Sequence, residues 1–261
     1  MVDIIVAMIM HSLLSVVRAA PLCSLEKCNQ GRKVKGMPVF RLKKNEIVFP
    51  APHLAEDDGL LAVGGDLSVD RLLLAYTNGI FPWYDEGDPI MWWCPKERFI
   101  IRPSEIHVSH SMKKFMKKHG IEVIMNRDFA DTMHRCRLKR EFAEGTWITD
   151  DMETAYQRLH KAGFAASVEA YTDGELAGGL YGVVIGRCFF GESMFSDKVN
   201  GSKIALISLA RYLESKDFLM IDCQFHTDHL ESMGGVKVSY DEYKKMIDEG
   251  LNSQSQNRPG D

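Results

Sequence analysis

Residues 165–195, AASVEAYTDGELAGGLYGVVIGRCFFGESMF, decide the fold. The run breaks at Asp173-Gly174 and again at Ile185-Gly186, two-residue signals for tight turns between strands. Three strands joined by hairpins are therefore expected. Upstream, TDDMETAYQRLHKAG (149–163) has helical spacing: Met152, Ala155, Tyr156 and Leu159 share one face, with Asp150 as expected cap, Glu153 three residues on, and Gly163 as the stop. Downstream, SKIALISLARYLES (202–215) is apolar on nearly every side and reads as a buried helix.

The same alternation extends outward. SHSMKKFMKKHG (109–120) is a short basic helix closed by Gly120, and IEVIMN (121–126) a strand. FLMIDCQF (218–225) reads as a core strand, VKVSY (236–240) as a last strand and DEYKKMIDEGL (241–251) as a last helix. The sum is an α+β domain, a mixed sheet with helices on its faces, over residues 99–251.

Before it, residues 37–98 read as a small irregular domain. Its one clear helix has Ser68 as N-cap, Asp70 in the first turn, Leu72, Leu73 and Tyr76 on its apolar face, and Asn78-Gly79 as a left-handed stop. IFPWYDEGDPIMWWCPKERFI (80–100) is too rich in proline and tryptophan for a regular helix. Residues 1–36 look like an upstream extension. Their apolar stretch is short for a bilayer span, and Asp3 stands where a secretory signal carries positive charge. Residues 252–261 read as a disordered tail.

The 261 residues are 45% hydrophobic and 26% charged, ordinary for a globular protein, and the net charge of −4 does not announce a nucleic-acid binder, although a local basic patch can exist under such a total. The six cysteines contain no C-x-x-C pair, which suits a thiol-keeping cytoplasmic compartment better than a disulfide framework. A metal reading of Cys223, His226 and His229 lacks a fourth ligand, so no metal or cofactor is implied.

Chemistry is expected where the apolar run FLMI opens into Asp222, Cys223 and Gln224. A strand running out into a polar loop explains such a triplet equally well. Strand alternation would place Asp222 and Gln224 on one face and Cys223 on the other.

Nine motifs carry a specific resemblance. GLLAVGGDLS, GIFPWY, PIMWWCP, EGTWIT, AYQRLHKAG, GGLYGVVIG, FFGESMFS, SKIAL and DCQ stand in the order found in the leucyl/phenylalanyl-tRNA–protein transferases, and the resemblance covers about residues 37–251. It implies a GNAT-type acyltransferase fold for the larger domain. It also implies transfer of Leu, Phe or, less well, Met from aminoacyl-tRNA to proteins that begin with Arg or Lys, marking them for N-end rule degradation. No membrane partner is implied, and the chain is expected to act as a monomer. The motifs depart from the family pattern at Asp197, Gly201 and Tyr240, where Arg, Ala and Arg are usual.

Carried onto this sequence, the resemblance makes Asp222 and Gln224 the catalytic pair. The donor is an activated ester and the acceptor an amine with a pKa of about 8, so no covalent enzyme intermediate is required. An amide is a poor base; Gln224 is expected to orient the amine, with Asp222 fixing its amide and water or the tRNA ribose taking the proton. Glu192 is expected to face the ester or the cationic acceptor. The donor side-chain pocket would comprise Gly191, Met194, Leu206, Leu209, Leu213, Ser215 and Ile221, although periodicity alone makes the leucines plain core. Trp83 and Trp147 are candidates to stack on the terminal adenosine, and Trp92 and Trp93 read as domain-interface residues. Lys113, Lys114, Lys117 and Lys118 on one helix, with Arg135, Arg137, Lys139 and Arg140 nearby, would offer charge to the tRNA backbone, or be simply a solvated face.

Two other classes fit less well. An acyl-CoA-dependent N-acetyltransferase would carry a Q/R-x-x-G-x-G/A loop, which is missing here. A non-catalytic RNA-binding module would have no use for an Asp-x-Gln pair at a strand end.

Overall fold

The computed structural model describes residues 40–141 and 146–252. The expected extension (1–36), nearly all of the expected tail and the Arg140 side chain lie outside the described residues. Two sheets organise the rest. The smaller has the order β1-β2-β4-β3, built from β1 (Phe40–Leu42), β2 (Leu60–Gly64), β3 (Phe81–Pro82) and β4 (Met91–Trp93). The larger has seven strands in the order β11-β5-β10-β9-β8-β7-β6: β5 (Glu97–Ile101), β6 (Ile121–Met125), β7 (Ala165–Thr172), β8 (Glu175–Ile185), β9 (Cys188–Ser196), β10 (Met220–Asp222) and β11 (Val236–Ser239). The opening stretch supplies β7, β8 and β9, an antiparallel meander. Among the described residues of this sheet only β9 and β10 pair in parallel, as a crossover helix between them requires.

That crossover is α5 (Gly201–Glu214), whose buried Ile204, Leu206, Leu209 and Leu213 pack against the large sheet. The remaining helices are α1 (Val69–Tyr76), α2 (His110–Lys118), α3 (Phe129–Glu141), α4 (Asp150–Lys161), α6 (Asp228–Ser232) and α7 (Tyr240–Asn252). Ser68 caps α1 and Ser109 caps α2. For α4 the cap falls one residue earlier than expected: Thr149 accepts from Met152 N–H, and Asp150 opens the helix, where its charge suits the dipole. The sequence reading names no helix over α3, because its charges fall on several sides; Phe129, Met133 and Cys136 nevertheless bury it.

One hydrophobic cluster runs from Leu61 and Trp92 of the small sheet, with Phe49 from the loop before β2, to Phe190 and Met220 of the large sheet and Tyr243 of α7. Trp92 is fully buried within the small sheet, its Nε1 donating to Gly64 O at 2.9 Å, so it belongs to that sheet's core. Gly79 lies at the junction: its φ is +70°, and a Cβ there would meet the Tyr243 ring at 2.7 Å. Among the described residues no helix is long and apolar enough to cross a membrane.

Candidate active site

The large sheet opens where β10 stops. Its last parallel pairing sets Asp222 against Phe190; beyond it β9 continues while the chain after β10 turns away. β9 also bulges there. Tyr181 of β8 faces Ser193 and Gly182 faces Gly191, so Glu192 is the extra residue, and a bulge re-aims the side chain it carries. On the facing segment Gln224 has φ +63°, a left-handed conformation uncommon for a side chain of that kind and a frequent mark of functional sites.

A cavity of about 300 Å³ fills this opening. Its apolar wall comes from Leu206 and Leu209 of α5, Ile221 of β10, and Leu180, Phe189 and Met194 of the two neighbouring strands. Gly191, Glu192 and Gln224 form the polar edge, and Trp83, Trp147, Phe81 and Phe225 contribute aromatic rings. Trp83 is 41% exposed and packs on Trp93 and Phe225, with centroids 5.6 and 5.4 Å away.

Two of the expected pocket residues stay outside the cavity lining. Leu213 is one turn further along α5, inside the core. Ser215 is exposed at the helix end, its Oγ donating to Tyr212 O at 2.7 Å.

Asp222 and Gln224 do not share a face, because the strand ends between them. Asp222 is fully buried beneath the cavity floor. One of its oxygens, Oδ2, accepts from Arg98 Nη2 and, at 2.7 Å, from Tyr243 Oη; the other, Oδ1, accepts from Gln224 N–H at 2.9 Å. Arg98 is equally buried, donates also to Gly79 O at 3.0 Å, and lies over the rings of Phe81 and Tyr243. Burial disfavours its charge, but the Asp222 carboxylate and Tyr243 outweigh that and raise its pKa. The expectation that Asp222 fixes the Gln224 amide is corrected: it fixes the backbone, and the amide Nε2 donates to Glu192 Oε1 at 3.1 Å.

Glu192 is the most connected group at the edge. Tyr76 Oη donates to its Oε1 at 2.7 Å, Tyr156 Oη to its Oε2 at 3.1 Å, and the two tyrosine hydroxyls also touch. Burial pushes the carboxyl up from its ordinary value of 4.5 to about 7; the tyrosine hydroxyls pull it down, Asp222 pushes it up, and Arg98 pulls it down. Cys223 also lines the cavity, but burial and then Asp222 raise its pKa strongly, so it remains a thiol and a poor nucleophile.

Sequence reasoning missed Arg98, Tyr243, Tyr76 and Tyr156 as site residues. A cation inside ERFII was the available signal, since a buried Arg demands a carboxylate somewhere. The two tyrosines that bond Glu192 carried none, being ordinary members of apolar helix faces.

The basic residues separate into two groups. Lys113, Lys114, Lys117 and Lys118 are exposed on α2. On α3, Arg135 pairs with Asp131 at 2.7 Å and with Asp197 at 2.9 Å, Lys139 pairs with Asp197 at 3.0 Å, and Arg137 pairs with Asp150 and Glu153. Asp197, the departure from the family pattern, therefore neutralises charge expected to face tRNA. Tyr240, another departure, donates to Asn78 O at 3.1 Å and serves the junction between the sheets. Among the described residues, the side chains whose potential ligand atoms converge are His226, Asp228 and Glu231, all exposed, and not the Cys223 set.

The mixed-sheet α+β domain, with its apolar cavity edged by Glu192 and Gln224, is that of a transferase. The chain belongs to the leucyl/phenylalanyl-tRNA–protein transferase family: residues 100–248 match the family model of that description and residues 65–96 its N-terminal domain. The leucyl/phenylalanyl-tRNA–protein transferase of Syntrophobacter fumaroxidans is 50% identical over 216 residues, 82% of this chain and 92% of that one. The protein of the same name from Desulfatibacillum aliphaticivorans is 51% identical over the same shares of both chains. Among solved structures, L-PGS from Bacillus licheniformis is 12% identical with a TM-score of 0.36 over 68% of this chain and 60% of that one, too loose to argue from. The chain is an aminoacyltransferase acting between tRNA and protein.

Proposed function

We propose that this aminoacyltransferase moves Leu and Phe, and less well Met, from aminoacyl-tRNA to proteins beginning with Arg or Lys, as a cytoplasmic step of N-end rule degradation. The observation that carries the reading is the cavity itself: an apolar wall of Leu206, Leu209, Ile221, Phe189 and Met194 ends at Glu192 and Gln224. An unbranched or γ-branched side chain suits such a wall, and a pocket of this kind separates substrates by about 1–3 kcal/mol per methylene. Trp83 and Trp147 at the edge suit a stacked terminal adenine, worth about 1–3 kcal/mol. The buried Glu192 would favour a cationic acceptor. Cys94, Cys188 and Cys223 carry no disulfide, in keeping with a cytoplasmic setting. A GNAT-type plan for the larger domain is supported by the parallel pair β9 and β10 at the centre of its mixed sheet.

In the proposed mechanism Gln224 is the catalytic amide. With its Nε2 engaged by Glu192, its Oε1 is left to accept from the attacking amine and hold it in line with the ester carbonyl. Asp222 acts through the backbone, keeping Gln224 in its left-handed conformation.

The test incubates the protein with Leu-, Phe-, Met- and Val-charged tRNA and peptides starting with Arg, Lys or Ala. Transfer to Arg and Lys peptides in the order Leu and Phe, then Met, then Val is expected. Equal transfer to the Ala peptide, or no discrimination against Val, would overturn it.

A further inference from the structure

We infer that Glu192 is the proton acceptor of the transfer, with Tyr76 and Tyr156 as positioning residues whose hydroxyls hold its carboxylate in place to take the proton. This rests on the aminoacyl transfer proposed above and assigns its proton step.

The hydrogens can be counted. Three oxygen–oxygen approaches close a ring: Tyr76 to Glu192 Oε1 at 2.7 Å, Tyr156 to Glu192 Oε2 at 3.1 Å, and Tyr76 to Tyr156. The two hydroxyls supply two hydrogens. With Glu192 ionised, one of the three approaches has no hydrogen; with Glu192 protonated, every one is bridged. The ring therefore has room for one additional proton. All three side chains are buried, with Tyr76 and Tyr156 at 1% and 0% exposure, so the ring is shielded from bulk solvent.

Placement supports the same role. Glu192 lines the cavity, whereas Tyr76 and Tyr156 stand behind it. Gln224 Nε2 donates to Glu192 Oε1, so an amine held by Gln224 Oε1 lies within one side chain of the carboxylate. The groups facing Glu192 come from five directions: Tyr76 on α1, Tyr156 on α4, Gln224 after β10, and at longer range Asp222 on β10 and Arg98 on β5. Asp222 and Arg98 are already committed to each other. Glu192 alone among them combines a cavity position with a pKa near working pH, pushed up by burial to about 7.

The step balances. The neutral amine attacks the ester carbonyl carbon and a C–N bond forms, while an N–H proton passes to the Glu192 carboxylate. The bond from that carbon to the ribose oxygen then breaks, and the proton leaves Glu192 for the departing oxygen. The enzyme ends as it began.

The decisive measurement is the pH profile of single-turnover transfer to an Arg-initiated peptide between pH 5.5 and 8. If both the amine and Glu192 must lose a proton, the logarithm of the second-order rate rises with a slope of two below about pH 7. Glu192→Gln keeps the shape, loses about 100-fold or more in rate, and reduces the slope to one. Tyr76→Phe and Tyr156→Phe remove donors that favour the carboxylate, so each moves the lower limb to higher pH. A slope of two that persists in E192Q overturns the inference, as does an unchanged E192Q rate. Should E192Q fail to fold, the tyrosine variants decide: a fixed limb overturns, an alkaline shift supports. A wild-type protein with no transfer at any pH refutes the function proposed above instead.

Discussion

Asp222 reaches Gln224 through the main chain: its Oδ1 accepts the Gln224 N–H at 2.9 Å, and the side-chain amide points elsewhere, to Glu192. The two residues are thus separable by experiment. Asp222 is the sole carboxylate partner of the buried Arg98 guanidinium among the described ion pairs. Truncating it strands a charge, which costs about 3–5 kcal/mol. Asp222→Ala is therefore expected to lower thermal and urea stability by that amount and to lose activity with it. Gln224→Ala should change stability by less than about 1 kcal/mol while cutting turnover sharply. Equal stabilities for the two variants in urea unfolding would contradict this division of labour.

The raised Glu192 carboxyl also predicts how stability varies with pH. Between the ordinary value of 4.5 and the folded value of about 7, the native protein keeps a proton that the unfolded chain has released. Stability from this group therefore falls as pH rises through that window and stays low above it. A gap of that size corresponds to about 3 kcal/mol at most. Glu192→Gln, whose amide lets the tyrosine hydroxyls rotate to accept, is expected to be more stable than wild type at pH 8 and about equal to it near pH 4.5. Melting curves of both proteins across that range give the answer; parallel curves would mean that Glu192 ionises freely.

The strands of the meander and the buried helix are plain in the sequence, because turn residues and apolar periodicity act locally. The site is harder to read, for reasons visible in particular residues. A glutamine gives no sign that its φ will be positive, so strand alternation runs one step too far at Gln224. The Arg98–Asp222 pair joins positions 124 residues apart, and Tyr76 meets Glu192 across 116. Neither pairing has a local signature. Glu192 itself is legible through the motif FFGESMFS, but the bulge that turns it into the cavity depends on β8.

Charge on the surface gives a third prediction. The α2 lysines are exposed, whereas Arg135 and Lys139 are tied to Asp197. Replacing Lys113 and Lys117 by Ala should reduce the slope of log affinity against log salt by about 0.7–0.9 for each phosphate that is no longer neutralised. Asp197→Ala, by releasing Lys139 and leaving Arg135 paired only with Asp131 among the described ion pairs, should tighten tRNA binding at low salt and steepen that slope. Filter binding across a salt series tests both; an Asp197→Ala protein with unchanged affinity would place tRNA away from α3.

Donor selection can be tested at a position without a side chain. A Cβ on Gly191 would meet Asp222 O at 3.4 Å and Ile221 Cγ2 at 4.0 Å, ordinary separations, and its backbone is not left-handed, so Gly191→Ala should fold with little loss. The added methyl enters the cavity beside Ile221, on the wall that also includes Phe189 and Leu209. The larger ring of Phe should suffer more than Leu, by about 1–3 kcal/mol, or roughly 10- to 200-fold in relative kcat/KM. Competition between Leu- and Phe-charged tRNA reads that ratio directly. An unchanged ratio would mean that the donor side chain lies elsewhere in the cavity, toward Trp83 and Phe225, and that the α5 leucines are core and nothing more.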